Sequence, residues 1–277
     1  MIRAAILALF LLLTGASTGQ AAYVALSEPI EGRPGKTHFD LARAIVTDLH
    51  MEGDLAVGEV AIPIRHIVDG YGGRPPARIE LGGLIAMPYR GEAHAGTLVL
   101  IDLGWSDDRI EPTAVLALFD DRLRLVDAVD VGMDRQVGIQ GEPFAISRWN
   151  DAVAVYSAHH NSSQSYDQYA LVFFRNGRFQ LVDAFSTFGD HTCGQSQYQS
   201  IAFSSAPAAG GDDFWPIAVT VTDKLEVDLT ATCEDMDYDE PFERAATVTY
   251  RWDDIRESYQ PDSDALERMA EASSDRY

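Results

Sequence analysis

Histidine and aspartate side chains gather in two polar stretches whose chemistry could hold a metal ion. His159, His160 and Asn161 lie in the first stretch, and Asp190 and His191 lie in the second. Neutral imidazole and carboxylate groups are good ligands for transition metals. Adjacent histidines on a strand point to opposite faces, so at most one of the pair is expected to serve a given site. Exposed loop histidines are the favoured interpretation, and we assign no metal ligand and no cofactor.

An acidic stretch, EDMDYDE over residues 234–240, also has the residue types of a cation site. Its aspartates alternate as they do at the start of an EF-hand loop. However, Glu240 stands where that loop requires glycine, and Ala246 stands where it requires its final glutamate. The sequence therefore does not predict an EF-hand, and a solvated acidic loop is favoured over a looser Ca²⁺ site.

The usual catalytic motifs are absent from the sequence. It has no GxSxG elbow, no HExxH helix, no GxxxxGK[ST] phosphate loop and no GxGxxG before a helix. Their absence does not exclude an enzyme, because triads are recognised by geometry. The leading hypothesis is an exported, non-enzymatic β-rich protein that binds a partner protein or cell-envelope component, with no catalytic residue assigned. The alternative is a metal-assisted hydrolase that uses His159 or His160 with Asp190 or His191.

The N-terminal residues MIRAAILALFLLLTGASTGQA have the features of a secretory signal peptide. Arg3 supplies the positive segment, residues 4–13 form an apolar segment too short to span a bilayer, and small residues precede the expected cleavage after Ala21. We expect residues 1–21 to direct export to the periplasm or the cell exterior, with no transmembrane anchor in the remaining chain.

Two features of composition limit the partners and the redox state. The chain has 43 acidic and 21 basic residues, a net charge of −22, which repels nucleic acid and anionic lipid surfaces. Solubility is the favoured explanation of this charge, and a cationic partner is the functional alternative. The only cysteines are Cys193 and Cys233. We expect them to form a disulfide in an oxidising compartment, worth about 4 kcal/mol in the chain-entropy model.

The sequence contains two similar predicted hairpins, and the strands of these hairpins are expected to position the candidate residues. Residues 114–129 (AVLALFDDRLRLVDAV) and 170–185 (ALVFFRNGRFQLVDAF) align without a gap at an offset of 56. Asn176-Gly177 favours a two-residue turn because both residues tolerate positive φ, and Asp120-Asp121 occupies the equivalent place. Counting outward predicts the cross-strand pairs Leu118–Leu123, Leu116–Leu125, Ala114–Asp127, Phe174–Phe179, Val172–Leu181 and Ala170–Asp183.

Each predicted hairpin has an apolar face that ends in an aspartate, Asp127 in the first and Asp183 in the second. The apolar face must be buried, since an isolated hairpin is not stable in water. The favoured interpretation of the aspartates is that they cap nearby backbone N–H groups. The alternative is that they line a site.

The remaining pattern predicts a mainly β fold. Thr37 and Asp40 resemble a capping box that opens a helix over about residues 38–50, and a second short helix is predicted after Ser263. The segments between them alternate like strands, which indicates antiparallel meandering sheets with an internal strand-hairpin repeat, propeller-like or sandwich-like. We interpret residues 22–277 as a single β-rich domain, with a possible N-terminal subdomain over 22–90.

If consecutive strands pair in order as a simple meander, the two ends of the sheet can be told apart. Tight turns such as Asn176-Gly177 then lie at the bottom, and the longer polar loops lie at the top, where binding residues are usually displayed. We expect alanine at Trp105, Arg109 and Tyr166 to abolish binding of a partner. The candidate ligand-binding residues at the top are Trp105, Asp108, Arg109, His159, His160, Tyr166, Asp190 and His191.

Overall fold

The structure, a computed structural model, describes residues 21–53, 55–59, 64–68, 75–92, 94–104, 113–207, 214–228, 230 and 239–274. Residues 1–20, which include nearly all of the predicted signal peptide, lie outside this set, as do Trp105, Asp108 and Arg109. The described residues form a mainly β fold with two short helices, as the sequence predicts. None of the described helices has the length and apolar character needed to span a bilayer.

The described strands form three sheets. The smallest contains β1 (His50–Glu52), β2 (Leu55–Gly58) and β4 (Ile79–Leu81), in the order β1-β2-β4. The second contains β3 (Arg65–His66), β5 (Ile85–Gly91), β6 (His94–Gly104), β7 (Thr113–Phe119) and β8 (Leu125–Asp130), in the order β3-β8-β7-β6-β5. Only the short β3–β8 pair is parallel among the described strand pairs.

The third sheet is a long antiparallel meander in which eight consecutive strands are neighbours in order. Its strands are β9 (Gln136–Ala145), β10 (Asp151–Asn161), β11 (Gln164–Arg175), β12 (Arg178–Thr192), β13 (Gln195–Ser205), β14 (Ile217–Val227), β15 (Phe242–Asp253) and β16 (Ser258–Pro261). We call the end with turns 131–135, 162–163 and 193–194 the top, and the end with turns 146–150, 176–177 and 254–257 the bottom.

The first helix is shorter than predicted. α1 spans His38–Ala42 instead of residues 38–50. The N–H of Thr37 donates to the Asp40 carboxylate at 3.0 Å, as a capping box requires. Turns follow at residues 43–45 and 47–48, where the β-branched run Ile45, Val46 and Thr47 weakens the helix. The predicted C-terminal helix is present as α2 (Ala265–Ser274).

The second hairpin confirms most of its predicted pairs. Phe174 lies opposite Phe179, and Val172 lies opposite Leu181. Asn176 and Gly177 have φ values of 53° and 77°, as the two-residue turn needs. The predicted Ala170–Asp183 pair is wrong, because a bulge inserts one residue and places Asp183 opposite Leu171.

The first hairpin differs from its predicted register. Leu118 lies opposite Asp127 and Leu116 opposite Val129, so the predicted pairs with Leu123 and Leu125 and the pair Ala114–Asp127 are wrong. The turn is wider because the Asp120 carboxylate accepts the N–H groups of Arg122 and Arg124, each at 2.9 Å. Two aspartates suit positive φ at both turn positions less well than Asn-Gly does, and the first hairpin forms a wider turn in which Leu123 has φ of 58°.

Apolar side chains from these sheets form three cores. One face of the five-stranded sheet packs against β9 to β12, and its other face packs against α1 and the three-stranded sheet. The second face of β10 to β12 packs against β14 to β16 and α2. The lower parts of the two strands that carry the second hairpin are therefore packed on both faces, which favours one register.

Only one of the two cysteines in the predicted disulfide lies among the described residues. Cys193 lies in the turn between β12 and β13 and is not a free thiol. Cys233 lies outside the described residues. The pairing of Cys193 with Cys233 therefore stays a prediction.

Candidate functional site

The loop 131–135 carries an aspartate to the top of the long sheet and is held by buried hydrogen bonds. The Asp130 carboxylate accepts the N–H groups of Ala114 and Gly132, both at 3.0 Å. The Nε2–H of His66 donates to the carbonyl oxygen of Gly132 at 2.9 Å. The N–H of Met133 donates to Ser157 Oγ at 3.2 Å. These bonds fix the backbone next to Asp134.

A cluster of aromatic and polar side chains lies directly beside this loop. His159 Nδ1 is hydrogen-bonded to the Asp134 carboxylate. The His159 ring stacks on Tyr166 with ring centroids 4.7 Å apart, and Phe188 meets Tyr166 edge-on at 5.2 Å. The Tyr166 hydroxyl donates to Gln164 Oε1 at 2.7 Å. We call Asp134, His159, Gln164, Tyr166 and Phe188 the top cluster.

Strand register explains why these side chains meet. His159 lies opposite Tyr166 in the β10–β11 pair, and Tyr166 lies opposite Phe188 in the β11–β12 pair. Cross-strand neighbours share one face of a sheet, so three consecutive strands present a row of rings. The His159 and Asp134 side chains keep 25% and 16% of their surface exposed, so the row remains accessible from solvent.

The other predicted site residues are divided between the two faces. Asp190 lies opposite Gln164 and shares the face of the top cluster. His160 follows His159 directly and projects from the opposite face, as expected for a strand. His191 Nδ1 is hydrogen-bonded to Ser196 Oγ at 2.6 Å instead of joining the cluster. Within the described ranges, no group of three His, Cys, Asp or Glu side chains could hold a metal ion.

The His159–Asp134 pair has the orientation that a general base uses. An imidazole whose Nδ1–H faces a carboxylate presents Nε2 as a hydrogen-bond acceptor when it is neutral. Among the described residues, no hydroxyl or thiol is hydrogen-bonded to His159 Nε2, so the nucleophile–histidine contact of a triad is not formed there. The arrangement suits hydrogen bonding and stacking with a ligand.

Next to the top cluster is a cleft between β12 and α2. The two strands β12 and β13 pair only through residues 189–192 of β12, and α2 packs near the gap where they diverge. The Nε2–H of Gln199 donates to Ser273 Oγ at 2.8 Å, which ties the end of α2 to β13. The cleft has a volume of about 510 Å³ and is lined by Gln164, Tyr166, Ser186, Thr187, Phe188, Gln199, Ala270, Glu271 and Ser273. We call it the β12–α2 cleft.

Sequence reasoning did not identify several residues of this site. Phe188, Gln199 and Ser273 stand in no motif, and the α2 residues reach the cleft only through tertiary packing. Phe188 could have been found by counting outward from Asn176-Gly177, but only with the bulge included, since one extra residue exchanges the two faces.

Both repeat aspartates accept a backbone N–H group, but the donor to Asp127 lies in another sheet, and Asp183 also lines a cavity. The N–H of Phe179, on the neighbouring strand β12, donates to Asp127 Oδ2 at 2.7 Å. The N–H of Ala184 donates to Asp183 Oδ1 at 2.8 Å, and the Tyr250 hydroxyl donates to Asp183 Oδ2 at 2.6 Å. Asp127 thus joins the two sheets, and Asp183 joins two strands of the long sheet.

Burial raises the pKa of Asp102 near the top of β6, although the N–H of Gly104 donates to its carboxylate and opposes the shift. Asp102→Asn is expected to stabilise the protein at neutral pH by on the order of 1 kcal/mol, because the amide can keep the Gly104 bond without a buried charge. A pKa raised by folding means that the wild type gains stability as pH falls through the raised pKa. The difference in stability between wild type and Asp102→Asn should therefore shrink as the pH falls toward 3.8, the ordinary pKa of an aspartate.

Urea unfolding of the protein across this pH range measures that difference in stability. Asp121→Asn is the control, since Asp121 is exposed in a turn and should show no such trend. An Asp102→Asn protein that is less stable than wild type at neutral pH would contradict the assigned effect of burial.

No known protein family, curated protein or solved structure matches this chain.

Proposed function

We propose that this chain is an exported, non-enzymatic β-rich protein that binds a partner protein or cell-envelope component through its top end. The observation that carries the proposal is the accessible row of His159, Tyr166 and Phe188 beside a cleft of about 510 Å³. That volume is in the range of ligand sites, and aromatic rings with a few polar groups are their usual lining.

The charge of the molecule supports the same proposal. A net charge of −22 opposes binding to nucleic acid or anionic lipid. The features of residues 1–21 support export to the periplasm or the cell exterior. The core shared by the five-stranded sheet and β9 to β12 supports a sandwich-like arrangement rather than a propeller-like one.

The alternative of a metal-assisted hydrolase is supported less well, since only Asp190 among its proposed partners shares the face of His159. His159 and His160 project from opposite faces, and His191 bonds to Ser196. Direct metal analysis of the purified protein remains the test of that alternative, with a stoichiometric ion as the outcome that would restore it.

Tyr166→Ala is expected to abolish retention of the bound component, because it removes the ring between His159 and Phe188. The measurement is retention of exported proteins and soluble cell-wall fragments of the producing organism on immobilised mature protein. Trp149→Ala is the matched control, since Trp149 is 58% exposed in the bottom turn 146–150. A component that Tyr166→Ala retains and Trp149→Ala loses would place binding at the bottom end and overturn the proposal.

A further inference from the structure

The strand β12 has an edge that its neighbour does not fill. β12 has 15 residues, but it pairs with β13 only through residues 189–192. In an antiparallel ladder, every second residue directs its N–H and C=O away from a given neighbour. The pairing with β11 therefore directs the backbone groups of Phe179, Leu181, Ala184, Ser186 and Phe188 outward, toward the missing strand.

Side chains complete this edge at both ends. At the lower end, the N–H of Phe179 donates to Asp127 at 2.7 Å, and Arg65 Nη2 donates to the carbonyl oxygen of Phe179 at 2.7 Å. At the upper end, the N–H of Phe188 donates to Gln199 Oε1 at 3.2 Å. These bonds show that the outward groups need partners and obtain them where a side chain reaches.

Among the described contacts, the middle of the edge has such a side-chain partner only at Ala184. The N–H of Ala184 turns back to the Asp183 carboxylate at 2.8 Å. Within the described ranges, no strand pairs with the outward side of Leu181 or Ser186, and Ala184 and Ser186 are exposed. Unpaired strand edges of this kind are templates for the addition of another strand.

Space and chemistry beside the edge suit a strand. The β12–α2 cleft lies against Ser186, and a smaller cavity of about 210 Å³ continues along Asp183, Ala184 and Phe185. Thr187 lines the β12–α2 cleft and is only 3% exposed.

The charged side chains that line the two cavities are acidic. Among the described residues, their lining includes the carboxylates of Asp183, Glu267 and Glu271 and no lysine, arginine or histidine. These carboxylates would repel phosphate and carboxylate groups of a ligand and would attract a lysine or arginine side chain. The net charge of −22 acts in the same direction at longer range.

We propose that the open edge of β12 binds an extended, positively charged peptide segment of a partner protein, which adds to the sheet as a strand at Ser186. Main-chain hydrogen bonds to Ser186 supply affinity in this mode, and pockets for alternate side chains supply specificity. Tyr166 and Phe188 line the pocket for an apolar side chain, and Glu271 accepts a basic one. The inference rests on the proposed function and names the partner class for the same end of the molecule.

The test uses a random short-peptide library displayed on phage and selected against the full mature protein. We expect enriched peptides to carry lysine or arginine between alternate apolar residues. Ser186→Pro removes the outward N–H and leaves the ladder to β11 in place, because proline is tolerated on a strand edge. It is expected to weaken binding of an enriched peptide at least about tenfold, whereas Ser186→Ala keeps the N–H and should bind as wild type.

A second variant keeps the test independent of folding effects at Ser186. Glu271 is exposed on α2, and Glu271→Lys is expected to weaken the same peptide without loss of thermal stability. Enriched acidic peptides, no enrichment above background, or unchanged binding to both variants would overturn strand addition. If Tyr166→Ala still loses the envelope component in that case, the proposed function stands and only its partner class fails.

Discussion

Replacing Asp130 with alanine is expected to lower the free energy of unfolding by about 3 kcal/mol. The Asp130 residue is only 3% exposed, and its carboxylate accepts the N–H groups of Ala114 and Gly132. Alanine leaves both buried N–H groups without an acceptor, and an unsatisfied buried donor carries its full desolvation cost. Chemical denaturation of wild type and variant measures the difference.

Two variants separate this effect from the loss of a carboxylate in general. Asp130→Asn keeps an oxygen in place and should lose much less stability than Asp130→Ala. Asp121→Ala removes an exposed carboxylate and should change stability by less than about 0.5 kcal/mol. An Asp130→Ala protein as stable as Asp121→Ala would contradict the role of Asp130 in holding loop 131–135.

Tyr89→Phe is expected to cost about 2 kcal/mol of stability, since it breaks a buried link between the two larger sheets. The Tyr89 hydroxyl donates to the carbonyl oxygen of Asp151 at 2.6 Å and accepts the N–H of Phe174 at 3.1 Å. Tyr89 is 1% exposed, so neither partner gains water when the hydroxyl is removed. The same burial raises the pKa of Tyr89 above its ordinary range.

The matched control for this prediction is Tyr198→Phe. Tyr198 is 41% exposed, so water can replace its hydroxyl contacts and the change in stability should stay within about 0.5 kcal/mol. Thermal and urea unfolding of both variants gives the comparison. Equal losses in the two variants would show that the link between Tyr89, Asp151 and Phe174 contributes nothing specific.

Local pattern predicted the strands and the direction of the long sheet because both depend on short-range chemistry. Asn176-Gly177 fixed a turn and, through it, the pairs Phe174–Phe179 and Val172–Leu181. The same counting failed at Asp183 because nothing in the sequence marks the bulge beside Val172. It failed for the first hairpin because a side chain, that of Asp120, decides the size of the turn.

The candidate site could be predicted only in part, because some of its residues are brought together by tertiary contacts. His159 and Tyr166 are residues that polar-loop reasoning selects, and register brings them together across one strand pair. The partner aspartate, Asp134, comes from another loop whose position depends on buried bonds to Asp130, His66 and Ser157. The open edge of β12 results from the divergence of two strands, which no local pattern encodes.

Photo-crosslinking in intact producing cells tests whether the top end is the binding surface. A photoreactive phenylalanine analogue at position 166 stands in the row of rings at the top end, and the same analogue at position 149 stands in the bottom turn. We expect a defined adduct from position 166 and none from position 149. Adducts from position 149 alone, or from neither position, would contradict the assignment of the top end as the binding surface.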